Sequence, residues 1–438
     1  MDEILKAGWS YKKLDELGFV GRGKSKHRPR NDPSLYGGKY PFIQTGEVKA
    51  TDLYIYKYSH TYNEKGLAQS KLWEPGTLLI TIAANIADTA ILKIKACFPD
   101  SIVGFIADPD KADVRFVKYY IDTIKLHMQS ISRGTTQDNL SLEKIRSFNF
   151  KTPPLPIQRK IVAILSAYDD LIENNTRRIE ILEEMARSLY REWFVNFRFP
   201  GHEQVKMVDS NSEFGLIPEG WEVLPINELI KRGILEKNQD GNHGEKHPKS
   251  TDYVPSGIPF IMAKDLSKNI IDLENCQFIS YEQAQSLRVG FAKTGDVLLT
   301  HKATMGRVAI VPQVEKFIVL TPQVTYFRIK DSSSLNQFLL YCTFTSDRFQ
   351  DILSGQSEQS TRKFISITNQ RNIKILYPSP NWINKFGEII KDVLGLKESL
   401  YSKNTNLRRT RDLLLPKLIS GEIDLEEIDI GVYNAENN

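Results

Sequence analysis

The chain is written twice. Gly8-Trp9 with Glu16-Leu17 recurs as Gly220-Trp221 with Glu228-Leu229. Pro41-Phe42-Ile43 recurs as Pro259-Phe260-Ile261, the apolar run GTLLIT at 76–81 as GDVLLT at 295–300, and Ala90-Ile91 as Ala309-Ile310. Further on, Ser141-Leu142 falls on Ser366-Ile367 and Pro153 on Pro378. The offset grows from 212 to 225 in small steps, as insertions confined to loops would produce. A repeat this long is no solenoid unit and means duplicated domains. Such a chain builds one architecture twice and presents two similar, non-identical surfaces.

Each copy divides in the same way. Residues 1–152 and 205–378 read as mixed regions in which short β-rich segments alternate with Gly, Pro, Asn and Asp clusters. Each ends in a proline cluster, Pro153-Pro154-Leu155-Pro156 and Pro378-Ser379-Pro380. Proline is tolerated where a helix begins. A long helix is predicted after each cluster: 153–204 with its linker, and 379–421, leaving 422–438 as an acidic tail. The first helix carries an apolar seam at Ile161, Leu165, Tyr168, Ile172, Asn175, Ile179, Leu182, Ala186, Leu189 and Trp193. The second repeats it at Phe386, Ile390, Val393, Lys397, Leu400, Asn404, Leu407, Arg411, Leu414 and Leu418. Alternating steps of 4 and 3 are a heptad seam, and both stretches read as uninterrupted helices packing on each other. Run antiparallel with full overlap, they place Ile161 opposite Leu418, Trp193 opposite Phe386 and Asn175 opposite Asn404, a polar layer that sets the register. Lys397 and Arg411 are expected to snorkel out of the seam. The fold class is α+β: two similar mixed domains, each followed by a long helix, the helices pairing as an antiparallel coiled coil.

Several chemistries are excluded. No apolar run approaches the ~20 residues of a membrane span, and the N-terminus lacks the apolar core of a secretory signal. Cys97, Cys276 and Cys342 are too few and too scattered for a disulfide framework or a zinc set, which fits a reducing cytoplasm. Gly18-Phe19-Val20-Gly21-Arg22-Gly23-Lys24-Ser25 matches G-x-x-x-x-G-K-[ST] letter for letter. A phosphate loop needs a buried strand before it and a helix after it. Here a polar segment precedes the match, and Pro29 and Pro33 prevent a helix after it. Of the seven histidines only His243 and His247 are close, in a loop, so no metal is expected. Neither a dinucleotide fingerprint nor a methyltransferase or nuclease motif is found. The chain reads as non-catalytic, with no cofactor; an ATP-using or DNA-cleaving enzyme is the alternative.

What remains is basic and polar loop chemistry. Arg22, Lys24, Lys26, His27, Arg28 and Arg30 lie in ten residues without an acid, a pattern suited to phosphate contact and guanine-edge readout. Arg133-Gly134-Thr135-Thr136-Gln137-Asp138-Asn139 offers Arg133, Thr135, Thr136, Gln137 and Asn139 for base and phosphate contacts. Its counterpart, Gly355-Gln356-Ser357-Glu358-Gln359-Ser360-Thr361-Arg362-Lys363, offers Gln356, Ser357, Thr361, Arg362 and Lys363. Lys302 and Arg307, after the second apolar run, complete the DNA-binding candidates.

With these features the chain resembles the specificity subunit of type I restriction–modification enzymes over essentially its whole length. The resemblance rests on Gly37-Gly38-Lys39-Tyr40-Pro41-Phe42-Ile43, on Gly134-Thr135-Thr136 leading into Leu140-Ser141, and on Pro153-Pro154-Leu155-Pro156-Ile157-Gln158-Arg159-Lys160-Ile161. In the second half it rests on Pro218-Glu219-Gly220-Trp221-Glu222 and on Leu413-Leu414-Leu415-Pro416-Lys417-Leu418-Ile419-Ser420-Gly421-Glu422-Ile423. It implies two target-recognition domains reading the halves of a bipartite, asymmetric double-stranded DNA site, and helices that act as ruler and as dock for two methyltransferase subunits. Restriction/translocase subunits, adenine methylation and no membrane are implied with it. One departure stands out: the second proline cluster runs into Asn381-Trp382-Ile383-Asn384-Lys385, without the glutamine that Gln158 supplies in the first half. That bears on whether the second junction docks partners as the first does.

Overall fold

The computed structural model describes residues 5–133, 140–302, 304–358 and 364–428, with the backbone alone at 131–133, 245 and 356–358. Contacts divide the chain into two compact units, Met1–Thr176 with Ser402–Asn438, and Arg177–Tyr401. Each unit combines one mixed domain with segments of both long helices, Leu155–Tyr190 and Pro380–Ser420.

In the first unit a five-stranded sheet runs in the order Gly18–Arg22, Ile102–Ala107, Leu78–Thr81, Thr89–Leu92, Tyr54–Ile55. All four residues of Leu78–Thr81 are buried, which is why this strand reads as a continuous apolar run instead of alternating. Leu78, Ile80 and Phe105 pack with Phe116 of helix Val114–Arg133 and with Ile161 and Leu165 of the first long helix. Leu79, Ile43, Trp73 and Phe98 form a separate cluster. A four-stranded sheet, His60–Tyr62, Tyr36–Phe42, Ala96–Cys97 and Leu72–Trp73, contains one parallel pairing, Phe42 with Cys97.

The second unit repeats this plan. Leu235–Asp240, Val324–Ile329, Val297–Thr300 and Val308–Ile310 form the first sheet, and the second again has a parallel pair, Phe260 with Val319. Every sequence match lands on an equivalent element. The two apolar runs are the equivalent central strands. Ser141 and Ser366 cap equivalent short helices, accepting from Lys144 N (3.2 Å) and Asn369 N (3.1 Å). The single helix Val114–Arg133 is replaced by Gln337–Thr345 and Asp347–Glu358, broken where Ser346 turns extended.

The helices run antiparallel within each unit. Ile161 and Leu418 are buried in one core, and in the other unit the Trp193 and Phe386 ring centroids lie 5.9 Å apart. Asn175 Nδ2 donates to Asn404 Oδ1 at 2.9 Å, and Asn404 Nδ2 to Ile172 O and Thr176 Oγ1, both at 3.2 Å. The polar layer is therefore satisfied on both sides. One expectation fails. Lys397 and Arg411 do not snorkel: Lys397 is 2% exposed with Nζ 2.7 Å from Glu183 Oε1, and Arg411 donates to Asp169 at 2.5 Å. The acids stand one residue beyond the facing seam positions, Leu182 and Tyr168, so each cation is neutralised inside instead of reaching for water. The second helix runs uninterrupted through Pro416 in its last turns. The first helix ends in a π turn, Arg191–Val195. Of the predicted tail, Leu425 is buried and packs with Ile423 on the first core.

Gln158 has a structural task. Its side chain, 1% exposed, accepts from Asp113 N (3.1 Å) and donates to Lys111 O (3.1 Å) and Pro153 O (3.0 Å), tying the helix start to the entry of Val114–Arg133. The second unit makes the same tie from the opposite side. Asn336, N-cap of Gln337–Thr345, donates to Ile383 O at 2.8 Å and accepts from Leu339 N at 2.9 Å. The missing glutamine is thus replaced by an asparagine on the other element.

Candidate nucleic-acid interface

The basic segment begins in the sheet. Gly18–Arg22 is a strand paired antiparallel with Ile102–Ala107, so the stretch resembling a phosphate loop spends its amides on a β-ladder. Beyond it, Gly23 crosses so close to Pro99 and Phe98 that a Cβ would lie 2.3 Å from Pro99 O. Only glycine fits such an approach. Gly241 makes the same crossing in the second unit, where a Cβ would lie 1.9 Å from Leu320 O. The loop beyond each glycine leaves its sheet at an equivalent place.

In the first unit this loop is held by its neighbours. Gln69 Oε1 accepts from Lys26 N (2.6 Å) and His27 N (3.0 Å), and Ser70 Oγ donates to Lys24 O (2.7 Å). His27 Nε2 lies 2.7 Å from Asp32 Oδ2. Hydrogen bonds from Ser34 hold the Asp32 carboxyl below its ordinary range, with His27 adding to the effect. The absence of acids in the sequence run is not an absence in space. Arg22 Nε donates to Asp100 O, Arg30 reaches Asp100 Oδ1 at 2.5 Å, and Arg28 reaches Oδ2 at 3.4 Å. Three guanidinium groups thus gather on one residue, each still exposed, while Lys24 and Lys26 are exposed and pair with no described acid. A bundled set of arginines with free edges beside two unpaired ammonium groups matches a phosphate backbone electrostatically.

The counterpart in the second unit, residues 242–249, was missed in the sequence. It carries His243, Lys246, His247 and Lys249. His243 Nε2 sits 2.7 Å from Asp240 Oδ2 and His247 Nδ1 3.2 Å from Asn242 O, so the two histidines have separate partners. Among the described residues no group of three or more His, Cys, Asp or Glu could hold a metal. The repeat offset, applied to Gly23, would have found this loop at Gly241.

The hairpin loops after the central strands form a second equivalent pair. Leu140 N donates to Ile82 O and Ile365 N to His301 O, so Leu140 and Ile365 are tied to equivalent places at the ends of those strands. His301 Nδ1 also contacts Ile365 O at 2.9 Å, and burial holds its imidazole below the ordinary pKa. Lys302 is exposed and bridges Phe364 through the backbone. Arg307 turns inward, donating to Ala263 O (3.1 Å) and Leu266 O (2.7 Å) as a scaffold contact. Arg133 ends a helix, and Gln356 and Ser357 continue the helix Asp347–Glu358 where a loop was predicted. Thr135, Thr136, Gln137, Asn139, Thr361, Arg362 and Lys363 lie outside the described residues.

The sequence profile of the type I restriction modification DNA specificity domain matches residues 6–184 and again residues 218–402. The chain belongs to this family. Its two matched segments each run from a mixed domain into the long helix after it. A relative, the type I restriction enzyme MjaIX specificity subunit of Methanocaldococcus jannaschii, is 27% identical, covering 96% of this chain and 94% of its own. The MjaVIII specificity subunit of the same organism is 22% identical over 90% of this chain and 88% of its own. In fold, the chain is similar to the S subunit of a type I restriction-modification system from M. genitalium, with a TM-score of 0.57 and 15% identity over 95% and 98% of the two chains. Among the described residues of this family member no helix is long and apolar enough to cross a membrane.

Proposed function

We propose that the chain is the sequence-reading subunit of a type I restriction–modification complex acting on double-stranded DNA in the cytoplasm. Each mixed domain reads one half of a bipartite, asymmetric site, and the helix pair sets the distance between halves. Adenine methylation and cleavage belong to partner methyltransferase and restriction subunits docked on it. The observation that carries this reading is a scaffold kept in register across both domains while the loops on it differ. The glycine crossings, serine caps and hairpin links repeat, whereas the first crossing loop gathers arginines and the second carries histidines and lysines. Shared frame with divergent loops suits two readers of different sequences, since few side chains reach base edges and most of a reader is support. Adenine methylation mapped across the host genome with and without this gene tests the proposal. A bipartite motif that vanishes with the gene supports it, and an unchanged methylation pattern overturns it.

A further inference from the structure

The Asn175–Asn404 layer is flanked by two buried ion pairs, and their polarity is the same. Seven residues on either side of Asn404 stand Lys397 and Arg411, both bases. Their partners, Glu183 and Asp169, are both acids and both on the first helix. Each pair is largely removed from water: the Lys397 side chain is 2% exposed and that of Asp169 is 4%. Asp169 also accepts from Tyr119. In both seam ion pairs the first helix thus supplies the acid and the second the base.

That arrangement decides which helices can pair. Asparagine faces asparagine equally well in self-pairing of either helix, so the polar layer discriminates nothing. The apolar seams, steps of 4 and 3 in both helices, also permit it. The charges do not. Antiparallel self-pairing of the first helix about Asn175 brings Asp169 of one copy within a turn of Glu183 of the other, twice by symmetry. Self-pairing of the second about Asn404 brings Lys397 against Arg411, also twice. Like charges buried without a partner are strongly disfavoured, whereas the native pairing neutralises every one. We propose that this charge pattern makes the coiled coil heterotypic, so that the first helix accepts only a second helix and two copies of the chain do not join through like helices. The duplicated chain stays a monomer in this respect although its halves share one seam.

The test uses the full chain. In D169R/R411D the native ion pair is kept with its polarity reversed, so the native pairing remains satisfied. Each helix now carries one acid and one base, and self-pairing becomes attractive. Unfolded in urea, refolded over a range of concentrations and weighed by light scattering, this variant should yield concentration-dependent dimer at least about tenfold above the original chain, the factor expected for a change of ~1.4 kcal/mol. The quadruple variant D169R/R411D/E183K/K397E restores uniform polarity and should return to monomer. It lacks the Tyr119–Asp169 hydrogen bond as the double variant does, and K397E also removes the donor to Lys268 O and Asn269 O, so a return to monomer in spite of more local damage reports pairing specificity. Should D169R/R411D fail to refold, E183K/K397E makes the same prediction. A single-layer swap that refolds as purely monomeric as the original chain overturns the proposal, and so does a quadruple variant that dimerises as readily as the double.

Discussion

Replacing Lys397 with Met tests how the second unit tolerates its buried charge. The ammonium lies 2.7 Å from Glu183 Oε1 and donates to Lys268 O (3.1 Å) and Asn269 O (3.4 Å). Met fills the aliphatic volume but removes all three interactions and leaves a carboxylate 19% exposed without its partner. Breaking a fully buried pair costs about 3–5 kcal/mol; partial access of water to Glu183 reduces that to roughly 2–4 kcal/mol for K397M by the same reasoning. Removing the carboxylate as well, in K397M/E183M, ends the uncompensated charge and leaves chiefly two carbonyls short of a donor, about 1 kcal/mol each. The double variant should therefore be more stable than K397M by up to ~2 kcal/mol, a coupling only a double-mutant cycle reveals. Trp193, Trp221 and Trp382, three of the five tryptophans, pack in this unit, so fluorescence during urea unfolding reports it. Burial lowers the Lys397 pKa against the opposing pull of Glu183. Between that lowered value and the unfolded 10.5 the native state binds fewer protons, so the original chain should gain stability over the double variant as pH rises through this window. A double variant as unstable as the sum of the two singles would refute the argument.

The same contacts fix three further outcomes. Gln158→Leu should destabilise the first unit by roughly 2–3 kcal/mol, because a buried amide and two carbonyls lose their partner, read as faster hydrogen exchange around Asp113; Asn336→Leu should do the same near Leu339 in the second unit. His301 is buried neutral with its pKa lowered, so its contribution is complete above the unfolded value of 6.5 and is lost as pH falls through the folded value; melting curves from pH 7 to 5 should fall more steeply for the original chain than for His301→Asn. Neutralising Arg22, Lys24, Lys26, Arg28 and Arg30 should weaken DNA binding and flatten its salt dependence, and K24Q/K26Q alone should remove about two from the slope, one for each unpaired ammonium; an unchanged slope would make the loop a solvated surface.

Much of the frame was legible because it rests on periodicity. The seam placed Asn175 against Asn404 and Trp193 against Phe386 by counting alone, and the apolar runs located the equivalent central strands. What failed needed contacts from elsewhere in the chain. Lys397 and Arg411 looked like residues bound for solvent because Glu183 and Asp169 stand off the seam by one position. Gln158 looked like a docking signature because Asp113 and Lys111, which it clamps, are distant in sequence. The basic run looked free of acids because Asp100 arrives from another loop. The second unit's crossing loop was overlooked for a different reason: its histidines and lysines share no pattern with the first, and only the glycine crossing marks it.

The central claim, two independent readers on one frame, is tested most directly by exchanging residues 205–378 for the equivalent domain of a relative and sequencing adenine methylation in a host carrying the partner subunits. The account predicts a new bipartite motif in which one half is unchanged and the other is replaced, with the spacer between them preserved. A motif altered in both halves, or in neither, would contradict it.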